Sequence, residues 1–443
     1  MEGYKDVYWS GDAILWKNLI KNYLCSLQFT VPIFQFLGEE VDSSIFQNVS
    51  SWRESSLPTE AAKEIFNEIA DLFFAGSHIT KFPELLASVQ NPIRRDQLIF
   101  CLKALHPRAI ECIFSVFVKR NLVPASYALK PYDGDASLAQ AVTALEALTK
   151  ISSDIDFQDL DRGFELVNQN LSQLDFIQLL NSKSKRQRLW AELCFRFPEI
   201  YVKSLDNLLH TKWYAACFVS DQNQASMWGN YGDEHKGVCL KFRTSGNGDG
   251  ENGLKLNRTV GVSATQNDTK KIYGDVWHKF EKIQYTDKFP EIDFFASIGQ
   301  TTMPALISDW YSDGKGKISP RLDRISEDEG QWISEFWKMF LSVITCKFND
   351  WQHEGEYRIV LYSVLNQFQC ADDRKLFYDF MSLEGITFGL NTSFSDKAKI
   401  IDIVREKCLR HSRNDFEFSQ AHYSPITGKI EAYPLKHLKL NGD

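Results

Sequence analysis

Residues 351–362 read WQHEGEYRIVLY, with two glutamates and an arginine set into an otherwise apolar and aromatic run. Read as a strand, alternation puts Glu354, Glu356, Arg358, Val360 and Tyr362 on one side and His353, Tyr357, Ile359 and Leu361 on the other. The second side supplies the apolar residues of a core face. On the first, the rise per residue sets the two carboxylates about 7 Å apart, with a guanidinium one further step along. Two carboxylates at that separation can divide labour, one accepting from a sugar hydroxyl or activating a nucleophile, the other held ionised by Arg358. The competing reading is a solvent-facing ionic stripe in which Arg358 only screens the repulsion, and spacing alone does not choose between them.

Around this run the chain has strand character from about residue 211. WYAACFVS, GVCLKF and YRIVLY are short, β-branched or aromatic, and separated by Gly, Asn and Asp. Residues 243–275 are polar and turn-rich and predict a loop. GQWISEFWKMFLSVITCKF predicts a helix, followed by strands at EYRIVLY and GITFGL, the helix SDKAKIIDIVREKCL and a last strand near FEFSQAHY. A second dense segment, SMWGNYGDEHKGVCLKF, covers residues 226–242. If its start is helical, Trp228 and Tyr231 leave one face a turn apart and can clamp a planar ring, with Asn230, Asp233 and His235 as hydrogen-bonding neighbours. Taken alone, this segment reads more readily as a core plug at Met227 and Trp228 followed by a surface turn.

Upstream the texture is helical. Pro58 and Thr59 open TEAAKEIFNEIADLFFAG, where Ile65, Phe66, Ile69 and Phe73 recur at helical spacing and Gly76 offers a stop. RDQLIFCLKAL, RAIECIFSVFVKR after Pro107, ASLAQAVTALEALTK and LDRGFELVNQNLSQLDFIQLL continue the pattern. The basic run Lys183, Lys185, Arg186 and Arg188 reads as a solvated face. Residues 1–50 mix the amphipathic DAILWKNLIKNYLCSL with the β-like SLQFTVPIFQF. The expected organisation is an α/β (α+β) protein: residues 1–54 as the first part of a mixed-sheet core, 55–200 as a large helical insertion, and 201–443 as the main core carrying the motifs.

Composition narrows the class. A chain of 443 residues, 44% hydrophobic, with net charge −8, reads as globular and argues against a surface built wholly for nucleic acid or an anionic membrane. The nine cysteines are scattered and form no C-x-x-C pair, so no metal site is expected and the thiols read as reduced. No apolar run long enough to span a bilayer and no signal peptide is visible, which predicts a cytoplasmic protein without membrane contact. Phosphate-binding, dinucleotide-binding, zinc-protease and nucleophile-elbow motifs are missing.

The segments ACFVSDQNQASMWGNYGDEHKGVCLKF, KFNDWQHEGEYRIV and GITFGLNTSFSDKAKIIDIV together resemble a large bacterial family of unknown function. Its shared features are a C-F-S segment, M-W-x-x-Y before a glycine and a strand, and K-x-x-x-W-x-x-E-x-E-x-R. Met227, Trp228, Tyr231, Gly237 and Phe242 fall on the first motif pair, and Lys347, Trp351, Glu354, Glu356 and Arg358 on the last. Gly389 fits a late strand, and the hydroxyl of C-F-S falls one place late, at Ser220 after Val219. The resemblance covers residues 211–443, residues 1–50 loosely and the helical block hardly at all. Its layout is similar to the ADP-ribosyltransferase fold. By that analogy Glu356 is the catalytic carboxylate and Glu354 orients the acceptor. Trp228 or Tyr231 stacks on nicotinamide, Lys347 or Arg358 holds phosphate or ribose, Ser220 is a further cofactor-binding residue, and Tyr8, Trp9 or Lys17 is the early anchor.

The expectation is therefore an enzyme consuming NAD as substrate, of ADP-ribosyltransferase or NAD glycohydrolase type, suited to a toxin or antiviral-defence effector. Its acceptor, protein or nucleic acid, is left open. One alternative is a non-catalytic nucleotide-sensing or protein-binding module with a partner docking on residues 55–200. Another is a metal-dependent nuclease using Glu354, Glu356 and Lys347.

Overall fold

Thr59 caps the first helix of the central segment, its hydroxyl accepting from the Ala62 amide at 3.1 Å. The helix Glu60–Phe74 then buries Phe66, Ile69 and Phe73 along one stripe. The computed structural model describes residues 5–36, 49–124, 135–150, 157–246, 251–264, 269–326, 329–363, 368 and 370–438. It is a mixed helix-and-sheet, α+β protein. Among the described residues no helix is long and apolar enough to cross a membrane.

The chain forms two compact units. Among the described residues, one comprises Lys5–Thr211 and Pro290–Phe340, the other those of Lys212–Phe289 and Leu341–Asp443. The strand Asp6–Trp9 and the helix Ala13–Phe36 thus pack with the helical segment, whereas the sequence reading joined residues 1–54 to the sheet core.

In the helical unit, Asp6–Trp9 pairs in parallel with Glu291–Asp293 and antiparallel with Ile93–Arg94. Two of its helices differ from expectation. Ala13–Phe36 absorbs the run read as β-like and carries Pro32 inside it. Leu24, Cys25, Ser26, Leu27, Thr30 and Val31 are all buried, and a helix buried on every side loses the polar period that betrays it in sequence. Likewise the two segments flanking Pro107 form one helix, Arg95–Lys119. Leu98, Leu102 and Leu105 before the proline and Ala109, Ile113 and Val116 after it share one buried stripe, whose packing offsets the lost backbone hydrogen bond.

In the sheet unit, Glu356–Tyr362 runs antiparallel to Trp213–Val219 in unbroken register, Glu356 opposite Val219 and Tyr362 opposite Trp213. A second sheet orders Lys429–Pro434, Glu417–Ser424, Leu383–Phe388 and Val238–Phe242. The helix Phe394–Arg410 lays Val404 and Cys408 on it, against Phe388, Phe416 and Phe418. Cys346–Phe348 pairs in parallel with Gln284–Thr286.

The stretch read as loop over 243–275 is instead largely the antiparallel hairpin Asn252–Ala264 with Thr269–Lys279. Leu254 and Leu256 are buried beside Ile359 at its base, while Val260, Val262, Ile272 and Tyr273 are exposed further out. Charged and polar residues on an exposed ribbon make its composition look like a loop.

Candidate functional site

Residues 351–362 do not form one strand. Asn349–Glu354 is a 3₁₀ turn, Gly355 follows in the left-handed region at φ 55°, and the strand begins only at Glu356. Glycine enters that conformation without the steric cost a Cβ brings. The kink points Glu354 and Glu356 at one cation, in place of the extended stagger expected from alternation. The Lys347 ammonium, on the preceding strand Cys346–Phe348, donates to Glu356 Oε2 at 3.0 Å and also donates to Glu354 Oε2. Arg358 Nε donates to Glu356 Oε1 at 2.7 Å and its Nη2 to Oε2 at 3.3 Å, while Nη1 donates to the Ile344 carbonyl at 2.5 Å.

All four groups are buried, with Glu354 1%, Glu356 4%, Lys347 3% and Arg358 0% exposed. The face expected as either a catalytic edge or a solvent stripe is therefore an interior ion cluster, which rules out the solvent stripe. Two carboxylates and two cations sum to zero charge, the condition under which charges can be held out of water. Further contacts complete the set. The Glu356 amide donates to the Tyr285 hydroxyl at 2.9 Å, the Lys347 ammonium lies 5.0 Å from the Trp351 ring centroid, and the Cys217 thiol hydrogen-bonds to the Glu356 carboxylate.

These contacts set the protonation states. Burial pushes the Glu356 carboxyl up, but hydrogen bonds from Arg358, Cys217 and Lys347 outweigh it and hold it below the usual carboxylate range. Burial acts to lower Lys347, yet hydrogen bonding to Glu354 and Glu356 carries it above its ordinary value. Tyr231 is raised by burial and by its bond to Glu354.

A cavity of about 380 Å³ opens onto this cluster, walled by Cys217, Val219, Trp228, Tyr231, Glu354 and Glu356 among others. Trp228 and Tyr231 come from the helix Ala225–Tyr231. Trp228 is packed against Ala421 and Ile430, and its indole N–H donates to the Gln222 carbonyl at 2.7 Å, so its ring is fixed. Tyr231 is exposed, and its hydroxyl donates to Glu354 Oε1 at 3.0 Å. Lys347 and Arg358 are not among the wall residues; they bind the carboxylates that are. Ser220 lies exposed beyond the end of its strand and is not a wall residue, nor are Asn230, Asp233 and His235. Tyr8, Trp9 and Lys17 belong to the helical unit: Arg94 lies over the Tyr8 ring, Lys17 over Phe74, and Trp9 packs on Phe294. Sequence spacing pointed to neither Cys217 nor Tyr285, because both reach Glu356 from other strands.

The turn after Tyr231 is strained. Asp233, Glu234 and His235 occupy the left-handed region in succession, at φ 48°, 52° and 67°. The loop after Phe388 holds them there: the Asn391 amide donates to the His235 carbonyl at 2.9 Å and the Gly389 amide to the Gly237 carbonyl at 3.1 Å. A Cβ at Gly389 would meet the His235 carbonyl oxygen at 2.3 Å, so only glycine permits this approach.

Residues 227–359 match the model of a family described as a protein of unknown function, DUF2971. Over that segment, the chain is similar to DUF2971. The matched residues include Trp228, Tyr231, Lys347, Glu354, Glu356 and Arg358, that is, the aromatic wall and the whole ion cluster. Val219, Ser220 and Gly389 lie outside the DUF2971 match. Neither the curated proteins nor the solved structures yield a match to the chain. Among the described residues no group of three or more His, Cys, Asp or Glu side chains is arranged to hold a metal ion.

Three outcomes are expected. Lys347→Met strands two buried carboxylates on one guanidinium and lowers unfolding stability by about 3–5 kcal/mol, whereas adding Glu354→Gln restores neutrality and recovers part of the loss. Equal urea midpoints for the single and double variants would contradict charge balance as the organising constraint. Stability should also fall at both pH extremes. Glu356 contributes fully above the unfolded carboxylate value near pH 4.3, and that contribution disappears as pH falls through its lower folded value. Lys347 contributes fully below the ordinary lysine value and loses its contribution as pH rises through its higher folded one. Urea midpoints measured from pH 3 to 11 should therefore trace a plateau with two shoulders, and the alkaline one should be smaller in the Lys347→Met, Glu354→Gln variant, the buried Tyr23 and Tyr201 retaining the rest. Finally, Glu234→Gly should stabilise the chain by about 1 kcal/mol, because glycine relieves the left-handed cost; an unchanged or lower Tm would mean the turn carries no strain.

Proposed function

We propose that the cavity binds a nucleotide carrying a planar base attached to ribose, with NAD as substrate, and that the protein breaks its nicotinamide N-glycosidic bond in the manner of an ADP-ribosyltransferase-like enzyme or NAD glycohydrolase. The observation that carries this reading is that Trp228, Tyr231, Glu354 and Glu356, chosen from two distant motifs, wall one cavity. Its volume, about 380 Å³, suits the nicotinamide–ribose end of the molecule. Tyr231 supplies the ring that can move over a base, and Trp228 the fixed wall behind it.

In the proposed reaction the bond between ribose C1′ and the nicotinamide nitrogen breaks, and its electron pair leaves with nicotinamide. The oxocarbenium cation that develops lies beside Glu356, which Arg358 and Lys347 hold ionised. Glu354 exchanges the Tyr231 hydroxyl for a ribose hydroxyl or for the attacking water. When water attacks, a C1′–O bond forms and the water proton passes to Glu354, giving ADP-ribose. A toxin or defence role would follow from NAD depletion or from transfer of ADP-ribose to an acceptor.

A second reading is favoured by a specific observation: both carboxylates already have cationic partners, as expected of a site that senses a nucleotide without chemistry. One assay separates the two. Purified protein incubated with NAD should release nicotinamide, and Glu354→Gln should lower kcat by about 100-fold or more. Tyr231→Phe should act mainly on KM. Wild-type release unaffected by Glu354→Gln would overturn the enzymatic assignment. Calorimetric binding of NAD that is recovered intact would establish the sensor, and no binding would sink both readings.

A further inference from the structure

The helix Phe157–Asn181 carries apolar residues on its outward as well as its inward side. Its inward edge is held largely by polar contacts: Gln97 donates to Asp161 at 2.8 Å, Asn168 to Asp96 at 2.8 Å, Lys103 to Asp175 at 3.0 Å and Ser172 to Glu199 at 2.9 Å. Phe164 against Phe100 is an aromatic contact on that edge. The outward face carries Leu166, Val167, Leu174, Phe176, Ile177 and Leu180, each 43–66% exposed. Leu166, Ile177 and Leu180 share one line along the helix at its 3.6-residue period, with Leu174 on one flank and Phe176 on the other. Amphipathic helices ordinarily turn such a face inward, and apolar residues spread over about 21 Å of helix from Leu166 to Leu180, with exposed Asn170 and Gln173 among them, mark an interaction surface when left in water.

The charges beside the stripe say what covers it. Exposed Asp159, Arg162 and Glu165 give its N-terminal end a net negative charge, and exposed Lys183, Lys185 and Arg188 lie just beyond its C-terminal end. A second copy of the same helix laid antiparallel brings each acidic end to the other copy's basic end while matching leucine to leucine. That is the self-complementary arrangement a two-fold axis requires. Pairing about Gln173 sets Leu166 of one copy near Leu180 of the other.

We infer that the protein forms a two-fold dimer through antiparallel pairing of Phe157–Asn181. The surface falls within residues 55–200, where the sequence reading expected a protein partner, and the inference is independent of the cavity's chemistry. The test is sedimentation equilibrium of the full chain. The wild type should sediment at twice the chain mass at micromolar concentration, and Ile177→Glu with Leu180→Glu at the chain mass with unchanged helical circular dichroism. Asp159→Lys with Glu165→Lys should weaken dimerisation at least tenfold, and adding Lys183→Glu with Arg188→Glu should restore it, because both ends are then reversed together. A wild type that is monomeric throughout, a dimer indifferent to Ile177→Glu with Leu180→Glu, or a fourfold charge reversal that fails to rescue would each overturn the inference.

Discussion

One ammonium group organises the sheet unit. Lys347 lies on a strand of only three residues, yet it binds Glu354 and Glu356 on either side of a left-handed glycine. That strand pairs with Gln284–Thr286, whose Tyr285 hydroxyl accepts from the Glu356 amide, so two segments close in sequence are joined at this cluster to a third that is distant. A lone buried carboxylate would take up a proton, and a lone buried ammonium would shed one. The cluster avoids both only while its charges sum to zero, so removing any one member disturbs the other three. This also limits what the carboxylates do: Glu356 is a fixed negative charge, and Glu354 alone has a partner, the exposed Tyr231 hydroxyl, that can be displaced at low cost.

How much of this could be read from the sequence depended on whether the deciding force was local. The strand Glu356–Tyr362, its neighbour Trp213–Val219, and the strands Val238–Phe242 and Leu383–Phe388 of the second sheet follow from β-branched and aromatic runs, and the helix Phe394–Arg410 from its period. Strict alternation failed at Glu354 because it treated Gly355 as one more strand residue, when its lack of a side chain permits the turn that folds Glu354 back onto Lys347. Helix continuity through Pro32 and Pro107 was hidden because tertiary burial, which is non-local, outweighs a local penalty. Cys217 and Tyr285 carry no signal in spacing, since strand pairing alone brings them to Glu356. The hairpin Asn252–Ala264 with Thr269–Lys279 was obscured for the opposite reason: much of its surface faces water, so strand and loop share a composition.

The two ends of the cavity are held by different physics, which leaves one part of its wall adjustable. At the carboxylate end, electrostatics fixes Glu356 and one oxygen of Glu354, Oε2, on Lys347. At the aromatic end, the left-handed turn Asp233–His235 is pinned by the loop Gly389–Thr392, which sets where the helix Ala225–Tyr231 stops. Strain of that kind persists only where surrounding contacts over-determine it, and here backbone hydrogen bonds are joined by the Asn391 and Thr392 side chains, which donate to the Glu234 and Gly237 carbonyls. Trp228 is locked as well, through its indole N–H. What remains adjustable is the Tyr231 ring and the Glu354 Oε1 to which it donates. A ligand that brings its own donor to Oε1 exchanges one hydrogen bond for another and frees the tyrosine ring to close over a planar group. A ligand without such a donor would leave a buried carboxylate oxygen unsatisfied, at a cost of a few kcal/mol. On the proposed reading, that asymmetry favours a ligand that brings a hydrogen-bond donor to Oε1.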